Sequence, residues 1–484
     1  MKKLQFMAWP KLCSLLLLGA AALFMVSCAD DELSGDTFVG TYSGSQLSKP
    51  DEGSITIKTS ADRTTQTVSW KTVDGALSYV INVRAGSNKD SYDEVVAKDV
   101  LVRGNSYTFA RTSKKYYRVS LTTAYNPAEG NTASDPNDPA VKEWDTFSTD
   151  ITLPVGTDLA SYFKENDPKT LSEGMPLIIG LEAGGEYTVS DAIDFSGVNA
   201  TISGDSENMP VITFANQAES MGTIVTDYAF GFENVEIQWE ESESAGTALV
   251  QLSKTPGYEA TNNYYRIDRI SFTNVKITDL KGCLVFDNSV QYCIVELTID
   301  NCLMKLATVT SAINNGSLIS IFGGGIKDFS ISNSTVYQTG EGNSQYFLRY
   351  NNSARIDRFG FNESGYEPNK TTITYHNNTF YKVASGNWSN YTGIQNGTIY
   401  DISKNIWFEC GDGAIARRIL GNGSLSSSSS ATWTFNTYSA DQGTYDTGTY
   451  FTTDPGFANP AEGDFTISGS DQLSNQTGDP RWLK

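Results

Sequence analysis

Phe230-Gly231-Phe232-Glu233-Asn234, Ile270-Ser271-Phe272-Thr273-Asn274, Leu297-Thr298-Ile299-Asp300-Asn301, Phe329-Ser330-Ile331-Ser332-Asn333 and Ile373-Thr374-Tyr375-His376-Asn377 share one pattern: apolar, any, apolar, any, asparagine. Looser copies end at Asn405, with one residue extra, and at Asn436. Successive asparagines are 40, 27, 32, 44, 28 and 31 residues apart. Such alternation marks a strand with one buried face. Its return without intervening helical signals marks a repeat. One strand cannot bury its inward face alone, but copies stacked in register bury a continuous column. Asparagine suits the closing turn because it tolerates left-handed backbone angles and its amide can reach the neighbouring copy. The expected fold is a parallel β-helix. A propeller would need four antiparallel strands per repeat of about 40 to 50 residues, which these spacings mostly do not supply.

The segment from Thr157 to Leu181 carries the one short helical signal and is expected to cap the open end of the solenoid. Glu186-Tyr187-Thr188-Val189 and Ala200-Thr201-Ile202-Ser203 read as early rungs. Before Pro154 the texture differs. Val68-Ser69-Trp70, Tyr79-Val80-Ile81-Asn82-Val83, Ser106-Tyr107-Thr108-Phe109 and Tyr117-Arg118-Val119-Ser120-Leu121 are short alternating strands over residues 53–150. That density of strands predicts a β-sandwich, with Trp70 in its core. Residues 28–52 are rich in Asp, Ser, Gly and Thr and read as a flexible acidic tether.

The early tryptophan, the Gly75-Ala76-x-x-Tyr79 step and the later Tyr117-x-Val119 strand resemble fibronectin type III domains, modules that most often act as spacers. The closing stretch, Asp454-Pro455-Gly456-Phe457 through Gly463-Asp464-Phe465 to Asp479-Pro480-Arg481-Trp482, resembles the end of pectate-lyase-like right-handed β-helix proteins. With the opening segment that resemblance covers residues 154–484. The expected class is all-β: a sandwich, then a right-handed parallel β-helix behind a short N-terminal capping helix.

Residues 1–27 carry Lys2, Lys3 and Lys11 ahead of an apolar run from Leu15 to Val26. The run is too short to favour a stable span and ends in small residues, as a cleaved signal peptide does. Met25-Val26-Ser27-Cys28 resembles a bacterial lipobox, which implies cleavage before Cys28 and lipidation of its thiol. Ala29-Asp30-Asp31-Glu32 resembles the export tag of Bacteroidetes-type lipoproteins, implying the outer face of the outer membrane. The other reading is a secreted protein with a fortuitous cysteine. Cys283, Cys293, Cys302 and Cys410 remain in the mature chain; the first three fall in apolar strands and read as core thiols, although sequence does not settle their pairing.

The 484 residues carry 35 basic and 56 acidic side chains, a formal charge of −21 that becomes −24 once the leader lysines are removed. A charge of that sign without a basic block argues against nucleic-acid binding. His376 is the single histidine, which excludes zinc motifs built on paired histidines. It occupies the outward position of its strand. The polygalacturonase-like set of Asn-Thr-Asp, Asp-Asp, His-Gly and Arg-x-Lys is absent, so hydrolysis by that machinery is not expected.

The two long gaps between asparagines predict loops near residues 240–265 and 338–370. The first holds Tyr258, Tyr264 and Tyr265. The second holds Tyr346, Arg349, Tyr350, Arg355 and Arg358. Arginines among aromatics suit an anionic polysaccharide, because guanidinium groups grip carboxylates while rings stack on sugar faces. The alternative is an ordinary loop whose aromatics pack on the solenoid and whose arginines pair with Asp357 and Glu363. Known β-helix families also include calcium-dependent polysaccharide lyases, which need a cation at the uronate carboxylate and a base. Asp279, Asp287 and Asp300 could gather round Ca²⁺, and Lys305, Lys327, Arg349 or Arg417 could supply the base. The same aspartates also read as turn residues. Gly323-Gly324-Gly325 lacks the Lys-Ser/Thr of a phosphate loop and reads as a turn.

The leading expectation is a cell-surface lipoprotein that captures an acidic, pectin-like polysaccharide for an outer-membrane glycan transporter. The alternatives are a Ca²⁺-dependent lyase and a scaffold or adhesin without a glycan site.

Overall fold

A computed structural model describes residues 45–59, 65–112, 114–125, 130–146, 149–217, 219–241, 247–261, 264–307, 317–339, 346–350, 371–390, 398–420 and 430–484. The five asparagines of the repeat all adopt left-handed backbone angles, with φ between 49° and 55°. Each sits where its chain turns a corner, and the residues before it stack in register. Ile202, Phe232, Phe272, Ile299, Ile331, Tyr375, Ile402 and Trp433 form one continuous inward column. These strands belong to an eighteen-stranded, parallel-paired sheet, and a separate seven-stranded parallel sheet closes the other side. Side chains from both sheets form a single core running the length of the stack. This is a parallel β-helix.

The corner asparagines also bond along the stack. The Asn274 amide donates to Asn234 Oδ1 at 2.8 Å, and that of Asn301 to Asn274 Oδ1 at 3.0 Å. In the last rungs the pattern shifts by one residue. Lys404 and Phe435 take the left-handed position, with φ of 57° and 51°. Asn405 and Asn436 fall one place further on, facing inward and fully buried. There the amides form an internal ladder: Asn378 Nδ2 donates to Asn405 Oδ1 at 2.8 Å, and Asn405 Nδ2 to Asn436 Oδ1 at 3.1 Å.

The expected single helix is two, Leu159–Glu165 and Pro168–Ser172, and its last part is a strand, Leu177–Leu181. Proline at the first position of the second helix, after the capping Asp167 side chain, explains the break. Phe163 packs edge-on against Phe195 of the solenoid core at 5.0 Å. At the far end the chain returns along the outside of the larger sheet. Phe465 is buried among Tyr337, Tyr381, Phe457 and Trp482. Thr335 donates to Asp479, and Arg481 donates to Asn301 Oδ1 at 3.0 Å, at the foot of the corner ladder.

Before the solenoid lie two antiparallel sheets. One has three strands, Thr56–Thr59, Thr65–Ser69 and Ser106–Ala110; the other runs Glu94–Val102, Tyr79–Gly86, Tyr116–Thr123, Ala140–Asp145. They share one apolar cluster, in which Trp70 meets Tyr79 edge-on at 5.2 Å. The end of the expected tether is docked: Leu47 is buried, its amide donates to Thr132 O, and Lys49 pairs with Asp138 at 2.8 Å. Among the described residues Cys283, Cys293, Cys302 and Cys410 form no disulfide, and all four are buried. Burial pushes the Cys302 and Cys410 thiols up to about 12.

Candidate functional site

The seven-stranded sheet positions the site. Ile193, Ile224, Val250, Val285, Ile319 and Leu348 stand in its inward column and are buried. Alternation turns their neighbours to the outer face: Asp194, Val225, Gln251, Phe286, Ser320 and Arg349, in register from strand to strand, with Ser320 itself covered and fully buried. Tyr346–Tyr350, expected within a loop, is a strand of this sheet. Phe347 and Leu348 supply the burial that holds it there. Phe347 lies flat on Trp388 at 4.5 Å.

Arg349 is partly exposed on this face. Its guanidinium carbon lies 5.0 Å from the centre of the Tyr346 ring and 5.4 Å from that of Phe322. Phe286, one strand further, meets Phe322 edge-on at 6.2 Å. Among the described residues no carboxylate pairs with Arg349. Contacts of this kind contribute about 0.5–1 kcal/mol each at exposed positions. They orient the guanidinium plane while its N–H edge stays available to a bidentate acceptor.

Phe322 is fixed by an internal carboxyl group. Asp287 is fully buried, and its carboxylate accepts four backbone N–H groups, from Ser289 at 3.0 Å, Phe322 at 2.9 Å, Gly323 at 2.7 Å and Gly324 at 2.9 Å. A Cβ at Gly323 or Gly324 would lie 2.3 Å or 1.9 Å from backbone atoms of Ser289 or Tyr292, so only glycine fits. Burial pushes the Asp287 carboxyl up, and the four donors act against that shift. The glycine run is therefore a turn, but one that cradles a carboxylate of the protein itself.

This placement removes Asp287 from the proposed calcium set. Asp279, left-handed at φ 53°, pairs with Lys305 at 3.0 Å on the larger sheet. Asp300 accepts from Ser332 and Asn333 in the corner ladder. Among the described residues no three carboxylate, histidine or cysteine side chains gather to hold a metal. The suggested bases are scattered as well. Lys305 and Lys327 lie on the larger sheet, Lys327 against Asp328 at 2.7 Å; Arg349 lies on the smaller one; Arg417 is exposed on the helix Ile415–Ile419.

In the first predicted loop the tyrosines pack inward. Tyr264 is buried, as is Tyr350 of the second stretch, so neither offers a ring to a ligand. The Tyr258 hydroxyl donates to Asp227 O at 3.0 Å and Arg266 O at 2.6 Å, and burial pushes its ionisation up. Tyr265 is partly buried beside Tyr258 and Tyr292. Arg355 and Arg358, with Asp357 and Glu363, lie outside the described residues, as does Cys28. His376 stands on the outer face 3.0 Å from Asp401. Of the expected binding residues, Tyr346 and Arg349 come together on the outer face. Phe286 and Phe322 join them, and only the aromatic beside a triple glycine hinted at Phe322.

Two family models match the chain: a domain of unknown function (DUF4957) over residues 185–339, and a second domain of unknown function (DUF5123) over residues 373–482. Arg349 falls between them. No curated protein matches the chain. Among solved structures the chain is similar to the pectate lyase PelI from Erwinia chrysanthemi, determined in complex with tetragalacturonic acid, at 11% identity and a TM-score of 0.14, covering 61% of this chain and 84% of that one.

Proposed function

We propose that the protein binds an acidic polysaccharide on the outer face of its seven-stranded sheet. The observation that carries the reading is Arg349, stacked against Tyr346 and Phe322 beside Phe286. On a chain of formal charge −21, a polyanion needs such a local cationic grip. The guanidinium takes the uronate carboxylate bidentately, and the aromatic rings take the apolar faces of neighbouring sugars. In this reading Cys28 carries the lipid anchor, and the protein stands on the outer face of the outer membrane. The two antiparallel sheets act as a fibronectin-III-like spacer, the two short helices close one end of a right-handed solenoid, and captured glycan passes to an outer-membrane transporter.

Affinity electrophoresis through gels containing polygalacturonate, alginate or neutral glucans tests the binding. Retention by a carboxylated polysaccharide that weakens as salt is raised supports it. Unaltered mobility across the whole panel rejects it.

A further inference from the structure

We infer a second carbohydrate site, for a neutral saccharide, on the outer face of the four-stranded antiparallel sheet. It is independent of the Arg349 face. In the strands Tyr79–Gly86 and Tyr116–Thr123, Val80 stands opposite Thr122 and Asn82 opposite Ser120. Ile81, Val83, Val119 and Leu121 point the other way into the core and are fully buried. The four facing residues therefore form the floor of a cleft of about 380 Å³. That volume lies within the range of small-molecule sites, about 300–1,000 Å³.

The walls are fixed by backbone chemistry. Thr123 and Ser134 exchange two hydrogen bonds, each backbone N–H donating to the other's hydroxyl, at 3.0 and 3.1 Å. This holds residues 133–139, with Pro136 and Pro139, along the edge of the floor. On the opposite side Asp99 is left-handed at φ 49°, and its N–H donates to Asn82 Oδ1 at 2.8 Å. That bond occupies the amide oxygen of Asn82. Its NH₂ group and the Asp99 carboxylate remain on the same rim. Tyr125, 57% exposed, completes the lining. Among the described residues the Ser120 and Thr122 hydroxyls and the Asp99 carboxylate have no side-chain partner.

A sugar offers hydroxyls that donate and accept, and C–H faces that pack on rings. Asp99 accepts from such hydroxyls in charge-assisted bonds, Asn82 donates, and Ser120 and Thr122 do either. Tyr125, Pro136 and Pro139 supply apolar surface. The carboxylate repels uronates and phosphates, so the selectivity is opposite to that of Arg349.

The test is affinity electrophoresis of the full mature chain in gels of neutral glucan, mannan, galactan, arabinan and xylan. Retention is expected on at least one of them. Asp99→Asn, which tolerates the left-handed position, and Tyr125→Ala should each weaken it about tenfold, or about 1.4 kcal/mol. Both sites are exposed, so the melting temperature should stay unchanged, and Arg349→Ala should leave neutral retention intact. No retention on any gel overturns the proposal. So does retention that survives both variants, or retention lost only with Arg349→Ala.

Discussion

The inward column of the larger solenoid sheet reads Ile202, Phe232, Phe272, Ile299, Ile331, Tyr375, Ile402 and Trp433, isoleucine or an aromatic throughout. An outward column of the smaller sheet reads Asp194, Val225, Gln251, Phe286, Ser320 and Arg349, with no two alike. Both columns are held by the same parallel ladders. The first is selected rung by rung for packing and corner geometry, and repeats because that problem repeats. The second faces away from that core and, apart from the covered Ser320, is partly exposed or exposed, so its chemistry is local. Stability should therefore follow the buried polar fixtures, and binding should follow one position on the smaller sheet.

The largest expected effect comes where the two meet. Asp287→Ala would leave four backbone N–H groups without an acceptor and release Phe322, costing about 4 kcal/mol in denaturant unfolding and abolishing retention by acidic polysaccharide. Because burial raises the Asp287 carboxyl, the folded state holds its proton more readily than the unfolded state. Stability from this group is full below the unfolded value, about 3.9, and falls as pH rises from there through the folded value. The gap between the native chain and Asp287→Ala should accordingly narrow across that window; a gap that widens would contradict the assignment.

Asn405→Ala should cost about 3 kcal/mol, since its amide serves Asn378, Tyr375, Ser403 and Asn436 in the core. Asn301→Ala, at a partly solvated corner, should cost about 1 kcal/mol, chiefly from the left-handed backbone, and leave polysaccharide binding unchanged. Equal losses at the two asparagines would erase the distinction between corner and core. Smallest of all, the thiols should resist alkylation at pH 8 until the chain unfolds, because burial keeps them neutral.

The corner asparagines were legible because left-handed geometry restricts the residue type. Five of the seven copies sit at that corner. Asn405 and Asn436 show where the pattern misled: one extra residue moved the asparagine from corner to core, and Lys404 and Phe435 took the strained angle. Tyr346–Tyr350 reads as loop in the sequence because its strand belongs to the smaller sheet, which carries no recurring closing asparagine. Arg349 was visible as a residue type, but its setting was not. Phe286 and Phe322 come from other rungs, brought beside it by a register that sequence spacing does not encode. The three aspartates illustrate the converse: similar in sequence context, they were sent to an ion pair, an internal cradle and a corner ladder.

If the Arg349 guanidinium grips the polyanion, titration calorimetry of polygalacturonate into the native chain, Arg349→Ala and Arg349→Lys will show it. Binding should be at least about tenfold weaker for Arg349→Ala, with little recovery in Arg349→Lys because an ammonium cannot reproduce the planar fork, and the melting temperature should not change. An Arg349→Ala protein that binds as tightly as the native chain would rule out a binding role for this guanidinium.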